Sequence, residues 1–491
     1  MNLRAHASKV GARTHAERDA KVDLVRSLLH VPSVPRSLLT LASIAGLALG
    51  CAYATVEPVQ AQRSTPPSVQ PVPAHEEPDV SVGTVAPAAA APLAALDPNL
   101  FPVYPPSPLA YPIDAEGHPV YGLDIGIEDL TGTSLRAFHA ALRRAERGEG
   151  QARIVAYGAS HIASDSWTGT VRRGLQGRFG DAGHGFILPV EPWRSYHHQD
   201  IAVDSTLRLW QTLRYHAGQA APLRFGLAGV AVESSEMRAW GRIETGERTC
   251  SRFEIYYEQQ PMGGGFDVLI DGQVARQIST NAPQAMAAYE IFSVADSQHT
   301  LEVRPRGDGP VRIYGVAVER EAPGVVLDAL GINGARAASQ LYWDEALWQE
   351  HMRRRLPDLV ILAYGTNESG DDEQPIATYE ANMRQVVERV QRTVPLASCL
   401  LVGPSDRPVM NRDRTGTMRL RTLEIIAAQR RVARDYGCGF FDLVAWGGGP
   451  MHMMVWSAAE PAWALRDHVH FTPRAYRRLG EVITNALLQT Y

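Results

Sequence analysis

The chain has 491 residues, 45% of them hydrophobic and 21% charged, with a formal net charge of −5. That length suffices for two or three domains with a large core, and the composition is that of a globular protein. The weakly acidic balance excludes a basic footprint of the kind a nucleic-acid partner needs.

Residues 1–36 are a polar tail rich in Arg and His, without an apolar period. Ser37 to Val56 then runs about twenty residues without a charge, enough to cross a bilayer. Arg26 and Arg36 precede it, which places the amino end in the cytoplasm and exports the rest. Three readings compete: an uncleaved membrane anchor over residues 37–56, a signal peptide with its cleavage site ending at Ala54, and a lipoprotein signal acylated at Cys51 within an imperfect lipobox. The long tail ahead of the segment favours the anchor. Residues 57–114 form a linker that carries fourteen of the 33 prolines. That composition builds no core and favours extended segments, so it reads as a tether across an envelope space.

The folded part begins near Ala115, where Leu135, Phe138 and Leu142 fit a short amphipathic helix capped by Ser134. The chain is organised around the next stretch, Arg153 to Gly180. Ile154 to Tyr157 is a short apolar run typical of a buried strand. Gly158-Ala159-Ser160-His161 breaks it, and Trp167, Val171, Leu175 and Phe179 then form one helical stripe, with Gly180 placed to end it. Strand, Gly-Ser corner, helix is one way to expose a hydroxyl nucleophile at the carboxyl edge of a parallel sheet, although a Ser in such a turn is more often only a turn or cap residue.

From 190 to 320 the helical periods give way to short alternating runs: Leu207–Trp210, Phe253–Tyr257, Phe266–Ile270, His299–Val303 and Val311–Val318. Asp271-Gly272 is a hairpin signal between two of them. The segment is expected to be an inserted β-sandwich between two parts of one α/β domain, 115–189 and 321–491. Its aromatics Trp210, Trp240, Tyr256, Tyr257 and Tyr289 are candidates for sugar stacking, though sandwich core is their commoner fate.

Beyond the insert, buried runs at Gly324–Leu330, Leu359–Ala363, Leu400–Val402 and Phe440–Leu443 alternate with helical patterns, the signature of a parallel sheet covered on both faces. Ser160 and Asn367 each fall just past a strand end, where such sheets bind ligands. Asp467 and His470 lie three apart in a loop, a spacing that lets the carboxylate hold Nδ1–H and leave Nε2 as a base. Cys399 and Cys438 each precede an expected strand, and both a disulfide and two buried thiols fit; Cys250 stands alone. No set of residues has metal-ligand spacing, and no cofactor is expected.

Gly158-Ala159-Ser160-His161, Gly334, Gly365-x-Asn367 and Asp467-x-x-His470 resemble, in order and spacing, the four blocks of the SGNH (GDSL-like) hydrolases. The insert after the first block, Ala182-Gly183-His184-Gly185-Phe186 and the stretch from Asp467 to Tyr476 are similar to bacterial peptidoglycan O-acetylesterases. The resemblance implies a three-layer α/β/α, flavodoxin-like fold and a serine esterase acting on an acetylated envelope polysaccharide. It implies Ser160 as nucleophile, His470 as general base and acid, Asp467 as its orienting carboxylate, and the N–H groups of Ser160 and Gly334 with the Asn367 amide as the oxyanion hole. Two positions depart from the pattern: Ala159 stands where the first block usually has Asp, and Glu368 follows Asn367 where the broader family often has Asp. The rival expectations are a polysaccharide O-acetyltransferase and a catalytically weak carbohydrate-binding envelope protein on the same scaffold.

Overall fold

The strand Gln151–Gly158 is buried along nearly its whole length because both of its faces are covered. Alternation decides which side chain goes where. Ile154 and Ala156 turn to one face, with Leu327, Ile361 and Leu400, and pack under Phe138, Val171, Leu175 and Leu479. Those four come from the helices Arg136–Glu146, Ser166–Phe179 and Pro473–Leu488. Val155 and Tyr157 turn to the other face, with Val360, Leu362 and Leu401, and meet Trp348, Met383 and Ile426. These sit on the helices Glu345–Arg355, Ile376–Thr393 and Leu420–Tyr436. The result is three layers, helices on both sides of a sheet.

The structure, a computed structural model, describes residues 111–221 and 223–491. The polar tail, the apolar segment 37–56 and nearly all of the Pro-rich linker lie outside the described residues. Among those described, no helix is long and apolar enough to cross a membrane.

The five strands of the sheet are parallel and run in the order Gly324–Gly331, Gln151–Gly158, Leu359–Ala363, Ser398–Val402, Gly439–Phe441. The chain lays down Gln151–Gly158 first, steps outward to Gly324–Gly331, then returns past it to Leu359–Ala363. Successive connections therefore leave in opposite directions at the carboxyl ends of Gln151–Gly158 and Leu359–Ala363, and that reversal opens a crevice there. Ser160 and Asn367 follow those two ends. Cys399 and Cys438 form a disulfide at the base of neighbouring strands, which resolves the two readings left open by their spacing.

The outward step is made by the insert. Two antiparallel sheets face each other across a core that includes Ile243, Phe253, Phe266, Leu301 and Val316. The Asp271-Gly272 turn joins Gly265–Ile270 to Gln273–Ser279, with φ of +52° and +77° at the two turn residues. Leu207–Trp210, expected as a strand, is instead a single 3-10 turn over Leu207–Leu209, and the strand is Gln211–Arg214. Ser134 is not the helix cap: the helix starts at Arg136 after Leu135, with no side-chain cap. The strand Gly183–Ile187, just before the insert in sequence, pairs with Val311–Glu319 of its larger sheet. The same Val311–Glu319 strand ends in Glu319, which meets Arg153 at 2.7 Å and Arg355 at 2.7 Å, while Arg355 also grips Asp328 of the parallel sheet at 2.8 Å. These buried charges are mutually paired, which is the condition for tolerating them away from water.

Candidate active site

Ser160 opens a one-turn helix, Ser160–Ala163, immediately beyond the first strand. The turn is pressed against the neighbouring strand: a Cβ at Gly331 would lie 2.1 Å from the backbone nitrogen of Ala163, so that position has no room for a side chain. Ser160 itself stays partly exposed at the rim.

His470 reaches Ser160 from a loop three hundred residues away. Its Nε2 lies 2.9 Å from Ser160 Oγ, and its Nδ1 lies 2.7 Å from Asp467 Oδ2. Asp467 Oδ1 accepts from the backbone N–H groups of Val469 and His470, each at 3.0 Å. A carboxylate on Nδ1 fixes the proton there and leaves Nε2 to accept from the hydroxyl. Burial works against the charge on Asp467, yet the backbone and side-chain hydrogen bonds from His470, with that from Val469, hold its carboxyl below the usual range.

Two contacts draw the other two loops to the same place. Ile332 N donates to Gly158 O at 3.0 Å, and Asn367 Nδ2 donates to Ala335 O at 2.9 Å. Gly334, between them, has φ of +77°, a conformation costly for any residue with a Cβ. The N–H groups of Ser160 and Gly334 carry no hydrogen bond among the described residues. An amide nitrogen has two hydrogens, so Asn367 keeps one to donate after its bond to Ala335.

Several supporting residues carry no signal of that role in sequence. Glu368, noted above only as a departure, is buried. It accepts from Ala337 N at 2.8 Å and Gly365 N at 3.0 Å, so one carboxylate ties the Gly334 loop to the Asn367 loop. Arg407 donates to the carbonyls of Thr366 and Asn367 at 3.2 and 3.4 Å. His161, beside the serine, is buried between the Tyr476 hydroxyl at 2.8 Å and Ser405 Oγ at 3.1 Å. Burial, with the nearby His470, pushes its pKa down to about 3, so it is a neutral spacer behind the reacting pair. Tyr476 belongs to the stretch that carries the family resemblance, whereas Ser405 and Arg407 stand on a loop with no motif.

Ala159 offers no carboxylate, and the loop is anchored six residues later. Asp165, fully buried at φ of +48°, takes Arg172 on both oxygens at 2.8 and 3.0 Å, Thr168 Oγ1 at 2.7 Å and Gln199 N at 2.9 Å. Asp165, His184 and His198 are the group among the described residues whose donor atoms converge within 4.8 Å. The bidentate arginine and the 3.1 Å hydrogen bond between the two histidines already use those donors, so the cluster reads as a structural anchor.

Of the aromatics considered for sugar stacking, Trp210, Tyr256 and Tyr257 are buried in the core. Arg242 lies over the Trp240 ring, and Tyr289 is bonded to Glu350 beneath Arg354. None of the five forms an open platform.

Residues 297–478 match the model of the GDSL-like Lipase/Acylhydrolase family. No curated protein matches the sequence. A solved structure described as a peptidoglycan O-acetylesterase in action superposes with a TM-score of 0.62 at 24% identity, covering 74% of this chain and 98% of the other. A family two carbohydrate esterase from Clostridium thermocellum, in complex with cellohexaose, gives a TM-score of 0.25 at 10% identity over 53% of this chain and 94% of its own. One from Cellvibrio japonicus gives 0.24 at 16% identity over 59% and 97%. The first of these shares the fold, parallel sheet and insert included. Residues 297–478 are thus similar to the GDSL-like lipase/acylhydrolase family, and the chain has the fold of the first of these structures.

Proposed function

We propose that the protein is a serine O-acetylesterase of the cell envelope that removes acetyl groups from peptidoglycan through an acyl-enzyme. The observation that carries the catalytic reading is the line Asp467–His470–Ser160, with its 2.7 and 2.9 Å contacts. Ser160 Oγ attacks the acetyl carbonyl carbon while His470 Nε2 takes its proton, and Asp467 stabilises the imidazolium. The oxyanion receives hydrogen bonds from the N–H groups of Ser160 and Gly334 and from Asn367 Nδ2. Each such donor contributes roughly 3–4 kcal/mol of barrier lowering. His470 then protonates the departing sugar oxygen, and a water deprotonated by the same imidazole releases acetate from Ser160. Support for the substrate comes from the fold shared, across both the parallel sheet and the insert, with the structure described as a peptidoglycan O-acetylesterase. Export and tethering through residues 37–56 would place the domain beside that polymer.

The test is acetate release by the full-length chain from p-nitrophenyl acetate and from O-acetylated peptidoglycan, beside Ser160→Ala. Turnover of both substrates that vanishes in the variant supports the proposal. Turnover of the small ester alone rejects peptidoglycan as the substrate, and equal rates in the two proteins reject the serine mechanism.

A further inference from the structure

A cleft of about 570 Å³ opens beside Gly334, walled by Arg214 and Tyr215 from the insert and by Arg336 and Tyr342 from the α/β domain. Two arginines and His216 line it, and no aspartate or glutamate does. In a chain of net charge −5 that is a local reversal of sign. The two arginines are not equivalent. Arg336 is committed to Asp371 through two hydrogen bonds. Arg214 has no carboxylate within ion-pair distance among the described residues. Its polar contact is a long one, 3.5 Å from Nη1 to the carbonyl of Asn333, and its guanidinium lies 5.7 Å from the Trp193 ring centre. A guanidinium offers a planar fork of donors matched to a carboxylate, and this one leaves most of that fork unused.

The cleft also supplies an apolar surface. The rings of Tyr215 and Tyr342 stack 4.5 Å apart at 23°, and Tyr342 remains 38% exposed. A flat ring pair with hydroxyl tips suits the mixed apolar and polar faces of a sugar. Asn333, whose carbonyl Arg214 contacts, directly precedes Gly334, so Arg214 abuts the loop that carries an oxyanion donor.

We infer that this cleft selects acidic glycans. Tyr215 and Tyr342 hold the sugar, while Arg214 pairs with a carboxylate carried on the acetylated sugar or on its immediate substituent. The inference rests on the esterase reading and adds to it a preference for anionic over neutral polysaccharides. The carboxylate has two sources, a uronic acid ring or a peptide stem on the glycan, with the same recognition chemistry.

The experiment compares the full-length chain with Arg214→Gln and Arg214→Lys on three acetylated polymers: peptidoglycan, alginate as a uronate, and xylan as a neutral glycan. Wild type is expected to favour the acidic polymers in kcat/KM, and Arg214→Gln to shrink that preference roughly ten- to a hundredfold, the range for a hydrogen-bonded charge pair. Arg214→Lys should restore part of it, and added salt should erode it. A preference for peptidoglycan alone assigns the carboxylate to the peptide, and one for alginate assigns it to the sugar ring. Calorimetric binding of the de-acetylated polymers to the same three proteins separates this inference from the esterase reading. Tighter binding of acidic polymers that Arg214→Gln weakens supports the cleft even if no acetate is released. Equal losses on acidic and neutral polymers, or a wild-type preference for xylan, would overturn it.

Discussion

Glu368→Gln tests the link between the two oxyanion loops. The Glu368 carboxylate is 3% exposed and accepts two backbone N–H groups, from Ala337 and Gly365, on separate oxygens. Glutamine has nearly the same shape but one acceptor oxygen and a donor in place of the other, so one N–H would face a donor. A hydrogen bond to a charged acceptor contributes about 1.5–3 kcal/mol, and an orphaned buried donor costs about 1–3 kcal/mol. Against this, burial pushes the Glu368 carboxyl above its usual range, so removing the charge relieves some desolvation. The balance is a net loss of about 1–3 kcal/mol, or roughly 1–4 °C in Tm for a folded part of this size. Loss of one oxyanion donor costs about 10²–10³ in rate, so partial displacement of Gly334 and Asn367 should lower kcat by about 10- to 100-fold. Thermal melting and p-nitrophenyl acetate turnover measure the two effects. A lower Tm with kcat intact would show that the clamp stabilises the fold without positioning the donors. No change in either quantity would refute the reasoning altogether.

Three further outcomes are expected. Asp467→Asn should lower kcat by roughly 10²- to 10³-fold, below the effect seen for a fully buried orienting carboxylate because this side chain is 47% exposed; steady-state kinetics with an unchanged kcat would remove Asp467 from the site. Burial depresses the pKa to about 3 for His161 and His351 and to about 4 for His198 and His452. A depressed folded-state value means stability that is fully present above the ordinary value of 6.5 and lost as pH falls towards the folded values. Near pH 4 each of these histidines costs on the order of 3 kcal/mol. Asp406, raised to about 6 by burial, and Glu368, also raised, act in the opposite sense, whereas His184, pushed down by burial as well, adds to the four. Tm should therefore fall steadily from pH 6.5 to 4, and a flat profile would contradict the burial of these rings. Reducing the Cys399–Cys438 disulfide, or replacing Cys399 by Ser, reopens a 39-residue loop and should cost up to about 4 kcal/mol in urea unfolding; an unchanged midpoint would refute that estimate.

The readable parts of the sequence were those whose physics is local. Trp167, Val171, Leu175 and Phe179 repeat at the helical period and are all buried on one face of Ser166–Phe179. Asp271-Gly272 has the two residues that tolerate positive φ, and the hairpin is there. Asp467 and His470 are three apart in one turn, so their contact needs no distant partner. Misreadings arose where local preference was overruled or silent. Leu207–Trp210 alternates like a strand but closes into a 3-10 turn whose Trp210 N–H bonds back to Leu207. The aromatics proposed for sugars are mostly core, whereas Tyr215, drawn from an unremarked stretch, meets Tyr342 across the domain boundary.

Composition, periodicity and turn chemistry thus determine the alternation of strands and helices, the β-rich insert and the strand-turn-helix corner at Ser160, because each depends on neighbours in the chain. Only the tertiary structure decides the sheet order that opens the crevice, the 2.9 Å approach of His470 to Ser160, the Cys399–Cys438 pairing, Glu368 as a clamp and the contact of Arg214, which has no carboxylate partner among the described residues, with the Gly334 loop. Those contacts join residues tens to hundreds of positions apart, and their partners are chosen by how helices and sheets pack, which no short window of sequence contains.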